Sequence, residues 1–409
     1  MYSGFAIIAN VRYDVFAGAL RRELPKWVAD GLVSGEQADA IAARYPDSAD
    51  DARRGSIVQA LAVIGAIVAG LGVVLFFAAN WDAIPRPLRV ALLVAALLGA
   101  YGGGWTLRHG RATRPNVGGA LLLLGGILFG ASIFLVGQMY HVQAHDPFAF
   151  LLWTAGVAPT AVVLRSRPLA TLAILTFGAW IGFELFVRDD GAAAGYIVVA
   201  MAFYGAALYA GGTAALERVD RAFTLPARQL GWAIAAVGVF VFTFRPVIGE
   251  FARVDRPGGL VLTVGVALAV AAVAAAAGLA LRSARGTARS EAAAVIAAVA
   301  LVGALVLVPE TRADEWGDSR AIVYPLLFNL LVLAVALGAV VVGYLEEELW
   351  LVNGGLVLMG VEVFARYVDL FWDFLPRSLA FIGAGLVLLA LAFALERSRA
   401  RLRPRRVEA

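Results

Sequence analysis

The chain has 409 residues, of which 61% are hydrophobic and 16% are charged, and its mean hydropathy is +0.81. Soluble domains average roughly 45–50% apolar and about 25% charged residues, so the composition excludes a soluble globular fold and a disordered chain and predicts a membrane protein. The formal net charge is +4 and cysteine is absent, which excludes disulfides, thiolate metal sites and a cysteine nucleophile.

Residues 1–55 predict a cytoplasmic helical hairpin followed by a polar linker. Apolar side chains recur every three to four positions, at Val15, Leu20, Leu24, Trp27 and Val28. Gly31 is placed to end this helix, and Ser34 with Gln37 has the spacing of a capping box that starts a second helix. Acidic and basic residues are balanced here, so no nucleic-acid partner is expected. The hairpin is either a lid on the membrane domain or a binding site for a cytoplasmic protein partner.

Residues 56–395 predict an all-α, polytopic transmembrane helix bundle, and 396–409 a basic cytoplasmic tail. A helix needs roughly 20 apolar residues to cross a hydrocarbon core of about 30 Å. About twelve stretches meet this requirement, at 56–79, 87–107, 117–140, 148–164, 168–187, 195–216, 229–248, 258–281, 291–308, 321–344, 348–367 and 377–395.

Orientation follows from the Lys and Arg residues, because basic loops are retained in the cytoplasm. Most of the 34 basic residues fall on the side of the N-terminus. The sequence therefore predicts a multi-pass inner (plasma) membrane protein with both termini cytoplasmic. The acidic run 346–348 lies in a cytoplasmic turn, where we expect it to be solvated.

Ionisable and amide groups at membrane depth are the candidate functional residues, because each costs at least about 2.5 kcal/mol at mid-helix unless it is paired or hydrated. They gather at the outer ends of four spans, as Asn80 and Asp82, Gln138, His141 and His145, Glu184 and Arg188, and Glu362, Arg366 and Asp369. We expect an outward-facing polar pocket that binds a substrate or relays protons.

Two of these pairs, Glu184 with Arg188 and Glu362 with Arg366, are four residues apart, the spacing at which helical side chains meet. Each Arg can neutralise its Glu, and the alternative role is an ion pair that lets a helix end at the interface. Glu362 lies deeper in its span and is the stronger functional candidate. Asn329, inside the tenth span, is expected to form an interhelical hydrogen bond.

His141, His145 and Asp146 could present two imidazoles and a carboxylate to one metal ion. Proton relay, substrate hydrogen bonding and interfacial packing are the alternatives. No other cofactor is expected.

Several short motifs resemble a bacterial family of predicted membrane proteins, domain of unknown function 2157. They are the stretch 27–38, Asn80-Trp81-Asp82, Gly137-Gln138-Met139-Tyr140-His141 and the turn Leu164-Arg165-Ser166-Arg167, with 366–372 and Arg377-Ser378-Leu379 resembling the end of longer members. The resemblance covers about the first 170 residues. It implies an inner-membrane protein with a short cytoplasmic helical start, and it implies no activity.

Three functions are compatible with this sequence. The favoured hypothesis is a transporter or lipid-handling protein whose outer pocket takes a small or lipid-linked substrate. One alternative is a polytopic enzyme, such as a glycosyltransferase using lipid-linked donors, with Asp82 as base or metal ligand. The other is an assembly or sensing subunit that recruits a partner through the N-terminal hairpin.

Overall fold

A computed structural model describes residues 20, 23–44, 48–79, 84–110, 114–140, 147–188, 194–216, 218–251, 259–283, 285–307, 313–371 and 386. This part of the chain is helical and contains no strand, as the sequence predicts. The helices are α1 (23–29), α2 (Gly35–Arg44), α3 (Ser48–Ala79), α4 (Arg86–Trp105), α5 (Pro115–Met139), α6 (Phe148–Val163), α7 (Arg167–Arg188), α8 (Ala194–Ala214), α9 (Arg221–Val241), α10 (Arg245–Phe251), α11 (Gly259–Arg282), α12 (Ala288–Leu307), α13 (Ala313–Leu345) and α14 (Leu349–Phe371). A π-helix, Thr106–Gly110, extends α4.

Nine helices of the described part are long and apolar enough to cross a membrane, which confirms a polytopic helical membrane protein. Shorter apolar segments occur at Ala60–Val73 in α3 and at Phe148–Val163. The predicted span 377–395 lies outside the described residues except for 386, so the count of about twelve spans stays a prediction.

The predicted seventh span, 229–248, is misplaced, because α9 starts at Arg221 and ends at Val241. Asp220 starts the helix early, since its side chain accepts a hydrogen bond from the backbone N–H of Ala222 at 2.8 Å. Pro246 ends the continuous helix, because it lacks the N–H that would reach back four residues to the carbonyl group of residue 242. The resulting break at 242–244 places a hydroxyl-bearing turn inside the bundle.

The N-terminal hairpin confirms the predicted helix signals. Ser34 and Gln37 form the capping box: the Ser34 N–H donates to Gln37 Oε1 at 2.9 Å, and the Gln37 N–H donates to Ser34 Oγ at 3.2 Å. Gly31 adopts a φ of +73°, the left-handed conformation that ends a helix. Leu24 and Ala38 are buried against each other's helices, so the hairpin has an apolar core of its own.

The chain forms two compact units, one ending at Met139 and the other starting at Tyr140. In the first unit α5 packs against both α3 and α4. In the second unit α6 packs on α7, α13 packs on α14, and α8 packs on α9, α11 and α12. The core of the second unit includes Phe242 and Phe328, whose ring centroids are 5.3 Å apart.

Glycine allows α8 and α9 to approach closely. A Cβ atom at Gly231 would collide with the backbone nitrogen of Tyr209 and lie 2.8 Å from the carbonyl oxygen of Gly205. Only glycine leaves room for this contact between two backbones. The close approach brings the polar residues near the C-terminus of α8 next to the N-terminal half of α9.

Candidate functional site

A network of charged and hydroxyl side chains joins α8, α9 and α12 to the turns α11–α12 and α13–α14. We call it the Arg–Glu network, and its members are Tyr209, Thr213, Arg228, Arg285, Thr287, Glu291, Glu346 and Glu348. All of these residues fall at the end of the second unit that the sequence predicts to be cytoplasmic.

Arg228 and Glu348 form the shortest ion pair of the network. Two guanidinium nitrogens of Arg228 donate to the two carboxylate oxygens at 2.5 and 2.6 Å, and its Nε donates to Thr213 Oγ1 at 3.1 Å. The guanidinium also lies 5.3 Å from the ring centroid of Trp350. Because the Arg228 side chain is only 1% exposed, Glu348 is the partner that compensates its buried charge.

Glu291 is the buried carboxylate of the network. The hydroxyl of Tyr209 donates to Glu291 Oε2 at 2.6 Å, and Arg285 Nη2 lies 3.0 Å from Oε1. Thr287 Oγ1 lies 2.8 Å from Glu291 Oε1 and 2.6 Å from Glu346 Oε1. A hydroxyl has one proton, so Thr287 donates to one carboxylate at a time, whereas Arg285 contacts both, with its Nε 3.2 Å from Glu346 Oε2.

Glu346 lies in the turn between α13 and α14, outside the membrane-spanning segments. Burial raises the pKa of this carboxyl, but the hydrogen bond from Thr287 and the guanidinium of Arg285 outweigh burial and hold the pKa below its usual value. Glu346 is therefore the ionised partner of Arg285 at neutral pH.

The predicted solvation of the run 346–348 is wrong for two of its three residues. Glu347 is exposed and has a φ of +58°, and the N–H of Glu348 reaches back to the carbonyl group of Gly343 at 2.7 Å. This left-handed turn ends α13 and directs Glu346 and Glu348, on either side of Glu347, into the bundle.

A cavity of about 450 Å³ lies beside the Arg–Glu network, between α12 and α13. Its lining is apolar except near one end, where Tyr209, Ser290 and Glu291 contribute polar atoms. Leu337 and Val341 line the cavity and are 57% and 48% exposed, so it opens sideways toward the space that lipid occupies around a membrane helix. The volume falls within the range of small-molecule sites, about 300–1,000 Å³.

A second polar group, the Glu362 cluster, lies at the opposite end of α9, α13 and α14. It consists of Thr243, Asn329, Glu362, Arg366 and Asp369. Arg366 Nε lies 3.3 Å from Glu362 Oε1, and Arg366 Nη1 donates to Asp369 Oδ2 at 2.9 Å. The predicted pairing of Glu362 with Arg366 is confirmed.

The break between α9 and α10 provides the other contacts of this cluster. Arg366 Nη2 donates to Thr243 Oγ1 at 3.0 Å, and its guanidinium lies 4.8 Å from the ring centroid of Phe244. Asn329 Nδ2 donates to the Thr243 carbonyl oxygen at 3.4 Å. The interhelical hydrogen bond expected of Asn329 is confirmed, and it bonds to the broken segment of α9.

The remaining predicted site residues do not join these groups in the described part of the chain. Gln138 is exposed near the end of α5 in the first unit, and Glu184 is half-buried in α7. Arg188 ends α7, and its side chain lies outside the described residues. Five further predicted site residues also lie outside the described part of the chain, namely Asn80, Asp82, His141, His145 and Asp146. The metal site and the wider outward-facing pocket therefore stay predictions.

Sequence reasoning missed the Arg–Glu network, although a signal was present. The signal is that charged residues of the network all fall at the ends of predicted spans on one side of the membrane, namely Arg228, Arg285, Glu291 and 346–348. Loop residues of opposite charge on one side are able to pair, but the sequence does not show which ones meet.

Comparison with known proteins gives a match for an N-terminal part of the chain, somewhat more than a third of its length. Residues 25–170 match a family model described as predicted membrane protein (DUF2157), which confirms the resemblance of the motifs in this part of the chain. The match does not reach 366–379, so the resemblance there stays a prediction. No curated protein and no solved structure matches the chain. The match ends within α7 at residue 170, so it does not include the cavity or either polar group.

Proposed function

We propose that this membrane protein is a transporter or lipid-handling protein for an amphipathic, lipid-like molecule. The molecule places its apolar part in the cavity between α12 and α13 and its polar group near Tyr209 and Glu291. The observation that carries the proposal is the combination of an apolar, laterally open cavity with a buried carboxylate near one end.

Selectivity in such a site comes from the polar end. An apolar ligand gains little by leaving lipid tails for an apolar cavity, because both surroundings are equally apolar. A polar group at membrane depth has few partners in hydrocarbon, and each unsatisfied group costs several kcal/mol. Tyr209, Ser290 and Glu291 supply such partners, so a molecule with one polar end and one apolar end fits best.

The proposal includes an orientation of the protein in the membrane. With the plasma membrane as location and both termini cytoplasmic, the Arg–Glu network faces the cytoplasm and the Glu362 cluster faces outward. The cavity then lies between two charged clusters, as in a carrier whose central site is reached from either side. Six predicted residues remain candidate functional residues at the outer ends of their own spans, namely Asn80, Asp82, Gln138, His141, His145 and Glu184.

The enzymatic alternative has less support. A lipid-linked-donor transferase would depend on Asp82, which lies outside the described residues, and each acid of the two polar groups lies close to an arginine. We therefore retain the binding and transport hypothesis.

The proposal is tested by photocrosslinking the full-length protein in nanodiscs that contain phosphatidylcholine with a diazirine near the end of one acyl chain. We expect labelled peptides to concentrate on α12 and α13, around 294–298 and 335–341. Ala298→Trp fills the cavity with an indole, so labelling of these peptides should fall at least several-fold.

Ala297→Trp is the matched control, because Ala297 is exposed on the same helix and does not line the cavity. It should leave the labelling of α13 unchanged. Equal labelling of all spanning helices, unaffected by Ala298→Trp, would contradict a lipid-binding cavity and leave a scaffold role.

A further inference from the structure

Glu362 is an unusual carboxyl group for a membrane helix. Its side chain is 2% exposed, and among the described residues neither carboxylate oxygen has a hydrogen-bond partner. A buried carboxylate in hydrocarbon is unstable unless it is hydrogen-bonded, paired or neutralised. The nearest cationic group, Arg366, is close at 3.3 Å but is not aligned to donate a hydrogen bond.

Arg366 donates its hydrogen bonds to groups other than Glu362. Its Nη1 donates to Asp369 Oδ2 and to the carbonyl oxygen of Thr243, and its Nη2 donates to Thr243 Oγ1. One guanidinium therefore faces two carboxyl groups, which leaves a net negative charge when both are ionised. Binding one proton at Glu362 removes that charge and keeps the Arg366–Asp369 pair.

Asn329 has an oxygen suited to hold such a proton. A Cβ at Gly355 of α14 would lie 2.5 Å from the carbonyl oxygen of Ala336 of α13, so these two positions are level in the antiparallel pair. Glu362 lies seven residues after Gly355 on α14, and Asn329 lies seven residues before Ala336 on α13. Because the two helices are antiparallel and seven residues make about two helical turns, Glu362 and Asn329 are again level with each other. Asn329 Oδ1 is buried and has no hydrogen-bond partner among the residues that the structure describes.

From this geometry we infer that Glu362 is a proton-binding site, in which the protonated carboxyl donates its O–H to Asn329 Oδ1. The proton comes from water and returns to it through the outer end of the cluster, where Asp369 is 42% exposed. In the part of the chain that the structure describes, the charged groups of the cluster beside Glu362 are Arg366 and Asp369 of its own helix. The other two members of the cluster, Asn329 on α13 and Thr243 at the α9–α10 break, do not ionise.

The proton site lies beside the proposed ligand cavity. Val239, Val332 and Leu358 line the cavity, and each lies about one helical turn from a member of the Glu362 cluster, namely Thr243, Asn329 and Glu362. A change in the charge of Glu362 therefore acts on helices that also form the cavity wall. Proton binding itself is independent of the proposed function, whereas its coupling to a ligand rests on it.

The test is infrared difference spectroscopy of the full-length protein in nanodiscs, between neutral and acidic buffer. We expect a high-frequency carbonyl band of a protonated carboxyl in a dry environment, lost in Glu362→Gln and retained in Glu347→Gln. Asn329→Leu should require about a tenfold higher proton concentration for the same band, the effect of losing one hydrogen bond of ordinary net strength.

Two other outcomes of this experiment would overturn the inference. If the folded wild-type protein shows no such band in a difference spectrum between acidic and neutral buffer, nor between neutral and alkaline buffer, Glu362 does not exchange a proton and the inference is wrong. If replacing choline chloride by sodium chloride abolishes the band at a given pH, the site binds a metal cation instead. Because this measurement needs no lipid ligand, it can fail while the photocrosslinking succeeds, and the reverse.

Discussion

At the scale of single residues, three consecutive glutamates illustrate how local backbone geometry decides the role of a charge. Glu347 takes the left-handed conformation and faces solvent, whereas Glu346 and Glu348 contact Arg285 and Arg228 inside the bundle. The side chains are chemically identical, so their different roles come from the turn that ends α13.

This difference predicts different stabilities for two neighbouring substitutions. Glu348→Gln removes the carboxylate that compensates Arg228 and leaves an uncompensated buried charge, which costs about 3–5 kcal/mol in comparable pairs. We expect a loss at the lower end of that range, since Glu348 is partly exposed. Thermal or denaturant unfolding in detergent would measure it.

Glu347→Gln is the control on the same turn and should change the free energy of unfolding by less than about 0.5 kcal/mol, as exposed substitutions do. Equal stability of the two variants would show that Arg228 finds another partner or that the pair contributes nothing.

At the scale of helices, the approach of α8 to α9 determines whether the Arg–Glu network can form. Tyr209 and Thr213 come from α8, and Arg228 comes from α9. Their contacts require the two backbones to lie closer than side chains normally allow, and Gly205 and Gly231 make this distance accessible.

Gly231→Ala should therefore destabilise the protein, because its new methyl group collides with the backbone of α8. Overpacking of this kind costs about 1–3 kcal/mol. It should also weaken the contact of Tyr209 with Glu291, which a change in photolabelling at the cavity would report.

The opposite result is expected for Gly278→Ala on α11, where a Cβ would contact nothing within 4 Å. Alanine is favoured over glycine in a helix by about 1 kcal/mol, so this variant should be unchanged or more stable. If both variants behave alike, the close approach of α8 and α9 is not required for stability.

At the scale of the whole molecule, functional parts are separated along the chain. The hairpin has its own apolar core around Leu24 and Ala38. The family match covers 25–170, whereas the cavity and both polar groups begin after residue 200. The N-terminal and C-terminal parts of the chain can therefore carry different tasks.

Deleting residues 1–44, with a new initiator Met before α3, should leave photolabelling of α12 and α13 at the wild-type level. The described lining residues of the cavity all belong to the second unit, and none of the described hairpin residues is among them. Loss of labelling in a folded, monodisperse preparation would contradict this separation, and would favour the alternative in which the hairpin is a lid on the membrane domain.

Much of the fold could be predicted from the sequence, because it depends on interactions between residues close in the chain. The apolar runs, the capping box at Ser34 and the glycine stop at Gly31 all involve neighbours within one or two helical turns. The pairing of Glu362 with Arg366 is of the same kind, four residues apart on one helix.

The tertiary structure alone decided which distant groups meet. Arg228 reaches Glu348 across 120 positions, and Thr287 reaches Glu346 across 59. Such contacts depend on which helices are neighbours and how closely glycine lets them approach, and neither property is a function of local hydropathy. Hydropathy depends on composition alone, so it correctly identified this chain as a membrane protein. The cavity between α12 and α13 depends on how the helices pack, so only the tertiary structure revealed it.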